Sequence, residues 1–360
     1  MKYDLRDLRE ADVKGENVFL RADLDVLVTG GKVKDDLRLK AWFPTLEYLL
    51  KNQATVFLAG HLGRPAKQVS IFNSQFTIQE PELSLKPIAK WVNEQLELHS
   101  ELEETVVNGF KAFKTRGNVT VLENLRFFKE EEENSDEFSK RLASLAQVYV
   151  NDAFASSHRE HASIAGITKH LPSYAGIHLQ EEVRELSKLL DDPKRPMCFI
   201  LGGAKIETKL PLVEKMHKFA DFVLVGGELA EQTKILLKVG HEKLSDKKSA
   251  LLIADLNSNS KDITQKSAQN FLQIAQTCET IVWNGPMGLV ENVKERTGTR
   301  LLAEGLSKIL GFKVVGGGDT LDFLKEEKLL NSFSFVSMGG GAMLEFLTGE
   351  VLPGIKALEK

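Results

Sequence analysis

Short apolar, β-rich runs along the chain stop abruptly at glycine or at a charge. Val18–Leu24 runs into Asp25, and Thr55–Ala59 into Gly60-His61-Leu62-Gly63-Arg64-Pro65. Val119–Leu122 meets Glu123-Asn124-Leu125-Arg126, and Val148–Val150 meets Asn151-Asp152. The second half repeats the habit with more glycine. Cys198–Leu201 meets Gly202-Gly203-Ala204-Lys205, Phe222–Val225 meets Gly226-Gly227, and Thr280–Trp283 meets Asn284-Gly285-Pro286. Phe312–Val315 then meets Gly316-Gly317-Gly318-Asp319, and Phe333–Ser337 meets Gly339-Gly340-Gly341. Between these runs apolar residues recur at helical spacing, as at Leu37, Leu39, Trp42, Leu46, Leu49 and Leu50, and again over Glu181–Leu190. Strand, turn, helix and strand in succession predict an α/β fold with a mainly parallel sheet and helices on both faces. Such sheets bind ligands beyond the carboxyl ends of their strands, where the glycines and charges of this chain fall.

The chain has 360 residues, more than one core of ordinary size organises. Two Rossmann-like lobes are expected, joined by a helix and hinge. The stretch 178–192, followed by Asp191-Asp192-Pro193-Lys194-Arg195-Pro196, reads as the joint. It sets the expected boundaries at 1–176 for the first lobe, 177–194 for the connecting helix and 195–341 for the second lobe. Strand ends of the first lobe carry Arg, His and Asp, and those of the second carry Gly and Lys. A basic lobe and a glycine-rich lobe suggest two anionic ligands brought together.

Composition narrows the classes. The net charge of −4 gives no general pull towards nucleic acid or an anionic membrane, so neither is expected as a partner. Any anion must be held by a local basic cluster. Cys198 and Cys278, the two cysteines, make neither a disulfide framework nor a zinc site and suit a reducing compartment. The mixed charges of Met1–Arg6 lack the apolar run of a signal peptide. No window reaches the roughly 18 apolar residues of a membrane span. A soluble cytoplasmic protein is the expectation.

The candidate chemistry lies at the strand ends. In a strand, Arg21, Asp23 and Asp25 share one face, and burying such charges unpaired is costly. An edge strand with a solvated face is the alternative. Arg64, Arg126 and Arg159 present planar forks suited to carboxylate or phosphate, with His61 beside them. Each alone also suits a surface ion pair. His158 and His161 could ligate a metal, though two histidines are a weak signal. In the second lobe, glycine lets backbone N–H groups approach a phosphate, and a following helix adds its dipole. Lys205 and Lys209 flank one such loop, and Pro211 places a helix start near Lys209. Asp319 follows another loop and could hold Mg²⁺. Each glycine run alone also suits a tight turn. The dinucleotide and Walker fingerprints are both missing, which argues against an NAD enzyme and a P-loop kinase.

Together these segments resemble the phosphoglycerate kinase family over nearly the whole chain. Arg21–Leu27 is close to the family's Arg-Val-Asp-Phe/Leu-Asn-Val-Pro, and Gly60–Pro65 to its Ser-His-Leu-Gly-Arg-Pro. Glu123–Phe127 and Trp283–Gly288 match its Glu-Asn-Leu-Arg-Phe and Trp-Asn-Gly-Pro-Met-Gly without change. Val150–Phe154, His158–Ser163, Gly202–Lys209, Gly316–Thr320 and Gly339–Ala342 complete the set, in order.

The resemblance implies reversible phosphoryl transfer between 1,3-bisphosphoglycerate and ADP, giving 3-phosphoglycerate and ATP, with Mg²⁺. It implies that Asp23, Asp25, Arg38, His61, Arg64, Arg126 and Arg159 hold the phosphoglycerate. Gly203, Lys205, Lys209, Gly227, Asn284, Pro286, Gly288, Glu291, Gly317, Gly318, Asp319 and Thr320 would hold the nucleotide, with Asp319 contacting Mg²⁺. Arg38, Lys205, Lys209 and the amides of Gly340 and Gly341 would surround the transferring group. It further implies closure about the joint, a final segment 342–360 returning to the first lobe, a place in glycolysis and gluconeogenesis, and a monomer.

The chain also departs from the family. Asp25 stands for Asn, an acid near an anionic substrate that calls for a partner such as Arg21 or Arg38. Leu27 replaces Pro, Gly60 replaces Ser, and Met338 replaces the Thr before the triple glycine. Ala155 replaces Gly and would be strained at a positive φ. Glu228 replaces a third Gly near the adenine pocket, the family's Asp-Ile-Gly-Pro becomes Asp262–Gln265, and the chain is shorter than the pattern just before it. These changes motivate two alternatives. One is a catalytically weak relative kept as a binding or scaffold protein. The other is a same-fold kinase with altered nucleotide preference.

Overall fold

The computed structural model describes residues 3–71, 80–98, 100–203, 213, 215–217, 219–239 and 249–360, with side chains of 236–239 left aside. The expected roles of Lys205 and Lys209, and the helix start at Pro211, lie outside the described residues.

The continuous apolar runs become strands buried on both faces, the pattern of a parallel sheet covered by helices. In chain order the strands are β1 (Asn17–Ala22), β2 (Val28–Thr29), β3 (Lys32–Val33), β4 (Thr55–Ala59), β5 (Glu103–Val107), β6 (Phe110–Lys114), β7 (Val119–Leu122), β8 (Val148–Asp152) and β9 (Ser173–Ala175). After these come β10 (Met197–Leu201), β11 (Phe222–Val225), β12 (Ala250–Ile253), β13 (Thr280–Asn284), β14 (Phe312–Gly316) and β15 (Phe335–Ser337). One sheet has the order β5-β6-β7-β4-β1-β8-β9 and another β12-β11-β10-β13-β14-β15, while β2 and β3 form a small hairpin.

β1 pairs in parallel with β4 on one side and β8 on the other, Arg21 lying opposite both Ala59 and Asn151. This central position rules out the edge-strand alternative. The pairings β4 with β7 and β8 with β9 are also parallel, whereas β5, β6 and β7 run antiparallel. Asn108 and Gly109 turn β5 into β6, both at positive φ (46° and 85°). Asn-Gly there is the preferred sequence of a two-residue hairpin turn. The second sheet is parallel throughout.

Two units divide the chain, Met1–Arg184 with Val351–Lys360, and Glu185–Glu350. The helix Ile177–Asp191 therefore spans the boundary. In the first unit the helix Leu37–Lys51 buries Leu39, Trp42, Leu46 and Leu49 against Leu20, Val56 and Leu58 of the sheet. Burying each such aliphatic side chain contributes about 1.5–3 kcal/mol. The Trp42 indole Nε1 also donates to the Asp23 carbonyl at 3.2 Å, tying this helix to the end of β1. The C-terminal segment closes on the same unit through Gly354 N–H to the Ser157 carbonyl (2.8 Å) and Lys360 N–H to the Asp4 carbonyl (3.0 Å).

Candidate functional site

Because β1, β4, β7 and β8 are mutually parallel, the segments that follow them emerge on one edge of the first sheet. Asp23, His61, Arg126 and Arg159 arrive there from four separate places in the sequence. Arg21 is fully buried near the end of β1. Its Nε donates to the Ser163 hydroxyl at 2.9 Å, Nη1 to the Ala22 carbonyl at 2.5 Å, and Nη2 meets His61 Nδ1 at 2.9 Å. Arginine has only donors, so His61 Nδ1 must be the acceptor there. Burial, and then the charge of Arg21, hold the His61 pKa well below its usual value, with Arg126, His161 and Arg159 adding to the effect.

Arg126 follows β7 in a short turn that Asn124 caps, its carboxamide oxygen accepting the Arg126 N–H at 3.1 Å. Arg126 is 2% exposed. Nη1 donates to the Gly63 carbonyl at 2.9 Å, and Nε lies 3.3 Å from a Glu132 oxygen. Nη2 is buried with no hydrogen-bond partner. Burial, followed by repulsion from Arg159, lowers the Arg126 pKa to about 10. A buried cationic N–H without an acceptor costs about 1–3 kcal/mol or more, a cost that an anionic ligand would offset. The same cations act on the two histidines of the next loop. His161 falls to about 3, burial first and then Arg21 and Arg126, and His158 is lowered mainly by burial.

The acids play supporting parts. Asp23 is buried, and its carboxylate accepts from the Ala155 N–H (2.8 Å) and the Ser156 hydroxyl (2.7 Å). It thereby anchors the loop that carries His158 and half-buried Arg159. Ala155 lies in a 3₁₀ turn, Phe154–Ser156, and is not among the positive-φ residues, so the expected strain is absent there. Asp25 does not pair with either arginine. Its Oδ1 accepts the Gly63 N–H at 2.9 Å, and its Oδ2 lies 3.9 Å from His61 Nε2. Arg38, in the first turn of its helix, donates instead to the Asp25 carbonyl at 2.7 Å. Arg64 stands exposed on the loop after Gly63.

Beneath this layer are residues for which the sequence suggests no role. Buried Glu131 accepts the Ser163 N–H at 3.0 Å and the Ser163 hydroxyl at 2.5 Å. Asp152, fully buried at the end of β8, accepts the Leu179 N–H at 2.8 Å and so caps the helix Ile177–Asp191. Burial raises the Asp152 pKa to about 7. Glu131 sits in a run of four acids, which reads in sequence as a solvated face. Only the fold shows that Glu131 turns inward while Glu133 is exposed.

In the second unit the corresponding edge is built from backbone. Gly203, Gly227, Gly285, Gly317 and Gly340 all hold positive φ. At the point where strand order reverses between β10 and β13, the Gly203 N–H donates to the Pro286 carbonyl at 2.8 Å. A side chain on Gly202 would place its first carbon 2.3 Å from that same carbonyl oxygen, so only glycine fits. Buried Asn284 leaves its Nδ2 without a partner. Gly317, at φ 98°, precedes the helix Gly318–Glu326, which carries exposed Asp319 in its first turn and buried Thr320. The Thr320 hydroxyl accepts the Gly285 N–H at 3.0 Å, joining two of these loops.

Gly288 packs against Asp262, whose carboxylate accepts the Gly298 N–H at 2.5 Å and the Ile263 N–H at 2.9 Å. Glu291 is exposed. Glu228 is exposed too and opens the helix Glu228–Val239, where an acid is favoured by the helix dipole. The triple glycine begins with the Gly339 N–H donating to the Ser337 hydroxyl at 3.1 Å and leads into the helix Gly341–Leu347. Among the described residues no three His, Cys, Asp or Glu side chains gather as a metal site. No helix described is long and apolar enough to cross a membrane.

Comparison with known proteins agrees over the whole length. A family profile described as "Phosphoglycerate kinase" matches residues 8–252 and 239–350. The phosphoglycerate kinase of Coprothermobacter proteolyticus is 37% identical over 401 residues, covering 98% of each chain. The cytosolic phosphoglycerate kinase of Triticum aestivum is 36% identical over 408 residues, covering 100% of this chain and 99% of its own. Both aligned lengths exceed the 360 residues of this chain, so the relatives carry residues without a counterpart here. The structure of phosphoglycerate kinase from Coxiella burnetii superposes with a TM-score of 0.80 at 30% identity, covering 99% of each chain.

Proposed function

The chain belongs to the phosphoglycerate kinase family, enzymes that pass a phosphoryl group reversibly between 1,3-bisphosphoglycerate and ADP, and we propose how its own residues divide that work. The first unit holds the phosphoglycerate. Arg126, Arg159, Arg38 and Arg64 meet its phosphate and carboxylate, His61 donates to it, and Asp23 and Asp25 hold the loops that carry these groups. The observation that carries this reading is the buried, unpartnered Nη2 of Arg126, at the strand edge where the other basic groups arrive.

The second unit holds ADP or ATP. Backbone amides at Gly227, Gly317 and Gly318 approach the phosphates, helped by Thr320 and the free Nδ2 of Asn284, while Gly203, its own N–H held by the Pro286 carbonyl, keeps the loop close to them. Pro286, Gly288 and Glu291 border the nucleoside. Phosphoryl transfer asks for in-line positioning and charge neutralisation, not a covalent nucleophile. Arg38, Lys205, Lys209 and the amides of Gly340 and Gly341 supply that neutralisation.

The residues fit Mg²⁺ brought by the nucleotide. An exposed carboxylate, Asp319, stands in the first turn of a helix, and Mg²⁺ usually takes one or two carboxylates while phosphates and water fill the rest. Bound there, the ion would neutralise charge on the phosphates during transfer. We further propose a cytoplasmic monomer acting on small molecules in glycolysis and gluconeogenesis. The reducing cysteine pattern and the cytosolic wheat relative support the compartment.

A coupled assay with 3-phosphoglycerate, Mg²⁺ and ATP, repeated with GTP, tests the reading on wild type and Lys205→Ala. Turnover that collapses in the variant is expected. Folded wild-type protein without turnover on either nucleotide would turn the reading towards a binding role.

A further inference from the structure

The buried layer under the basic cluster is a chain of hydrogen bonds in which Arg21 donates both ways, to Ser163 above Glu131 and to His61. Glu131 holds Ser163 twice, at its N–H (3.0 Å) and its hydroxyl (2.5 Å). The Ser163 carbonyl in turn accepts the Tyr149 hydroxyl at 2.7 Å, so the serine is fixed at three points. With its proton committed to Glu131, the Ser163 oxygen has lone pairs to offer, and Arg21 Nε donates to it at 2.9 Å. That bond and the one to the Ala22 carbonyl set the plane of the guanidinium. Arg21 Nη2 then points at His61 Nδ1, 2.9 Å away. Because the guanidinium cannot accept, the ring proton of neutral His61 must sit on Nε2.

Arg21 and Glu131 are both fully buried. Opposite charges removed from water need good geometry between them. Here one hydroxyl bridges them, so the pair neutralises charge while leaving Arg21 free to face His61. A direct Arg21–Glu131 contact would serve charge balance as well, but it would not specify the histidine.

We propose that Glu131 and Ser163 are positioning residues that, through Arg21, lock His61 as its Nε2–H tautomer, so that it presents a donor, never an acceptor, to an anionic substrate oxygen. The value of the lock rests on the reading of His61 as a phosphoglycerate contact. A histidine free to exchange tautomers would offer a lone pair to that oxygen part of the time and repel it.

Nitrogen-15 spectra of the His61 ring in the full chain test the lock directly. Wild type is expected to show a protonated Nε2 and a bare Nδ1. Ser163→Ala, which leaves Arg21 Nε without its acceptor, is expected to give mixed tautomers and to raise KM for 3-phosphoglycerate about tenfold, the size of one charged hydrogen bond. KM for ATP should stay unchanged. Ser163→Thr keeps a hydroxyl and should restore both readouts. Asp25→Asn should leave the tautomer as in wild type, since the lock comes from the Arg21 side. Wild-type spectra with the proton on Nδ1, or an unchanged tautomer in folded Ser163→Ala, would overturn the proposal. A mixed tautomer with unchanged KM would keep the lock and instead remove His61 from the substrate contacts.

Discussion

In the proposed division of labour the two units offer anions different kinds of site, each at the ends of parallel strands. In the first, the strand ends present side chains: a fully buried Arg21, a 2% exposed Arg126 with an unpartnered nitrogen, and histidines whose pKa values are pushed down by burial and by these cations. In the second, the strand ends present backbone, with five glycines at positive φ over loops tied by Gly203 to Pro286 and by Thr320 to Gly285. Fixed guanidinium forks suit a small ligand whose carboxylate and phosphate lie at set distances. A row of amides follows a longer polyphosphate and tolerates its shape. Fixed charge therefore defines the first site, and the conformational freedom of glycine defines the second.

Changing one site at a time is the way to break this contrast. The largest effect is expected from Arg126→Met, which removes the buried cation while keeping bulk. It should raise KM for 3-phosphoglycerate on the order of a hundredfold, about two charged hydrogen bonds, and leave KM for ATP alone. Steady-state kinetics with each substrate varied would check it. Gly317→Ala comes next. Its φ of 98° suits glycine, and an added methyl would meet the Asn284 side chain at 3.4 Å, an ordinary contact, so backbone strain is the main cost. That strain is worth about 1–3 kcal/mol, and KM for ATP should rise roughly tenfold with 3-phosphoglycerate unaffected.

A pH experiment sharpens the electrostatic side. The native Asp152 pKa is raised by burial to about 7. Between about pH 4, its unfolded value, and pH 7 the native state holds a proton that the unfolded state has lost. Stability from this group is therefore highest at acid pH and falls as pH rises through that window, by at most about 1.4 kcal/mol per unit. His161 and His178, lowered to about 3 and about 4, act in the opposite sense, since the unfolded chain takes up their protons first as pH falls below 6.5. The difference between wild type and Asp152→Asn in denaturant melts isolates the aspartate, and the variant should gain on wild type as pH rises. A difference that is flat with pH would contradict the assignment.

The smallest effect is expected at Asp25→Asn. An amide oxygen can still accept the Gly63 N–H, so the loop keeps its shape. Removing one half-exposed negative charge is worth about 0.2–1 kcal/mol, and KM for 3-phosphoglycerate should fall by up to about fivefold. A tenfold rise would mean that the carboxylate is part of the binding surface.

Much of this was legible in the chain. Apolar runs ending in Gly or charge gave the parallel sheets, and the strand-end motifs gave the basic and glycine-rich edges. What stayed hidden depended on long-range packing. That Arg21 lies on a central strand follows from β1 pairing with both β4 and β8, partners far apart in sequence. Ser163 and Glu131 meet only because the loop after β8 folds back onto the short helix Lys129–Glu132. The pairing of Asp25 was misjudged for a related reason. Charge alone pointed to an arginine, while the turn at Gly63 offered a nearer donor. The Asn108-Gly109 hairpin was readable locally from its turn residues, but its strands Glu103–Val107 and Phe110–Lys114 are rich in charge and lack the apolar run that marks the others.

The most direct test of the division between the units is calorimetric titration of 3-phosphoglycerate and of ADP, separately, into wild type, Arg126→Met and Gly317→Ala. A crossed pattern is expected. Arg126→Met should lose 3-phosphoglycerate and bind ADP as wild type does, and Gly317→Ala should weaken ADP and bind 3-phosphoglycerate as wild type does. Both ligands weakened together by either substitution, or 3-phosphoglycerate bound normally without Arg126, would contradict it.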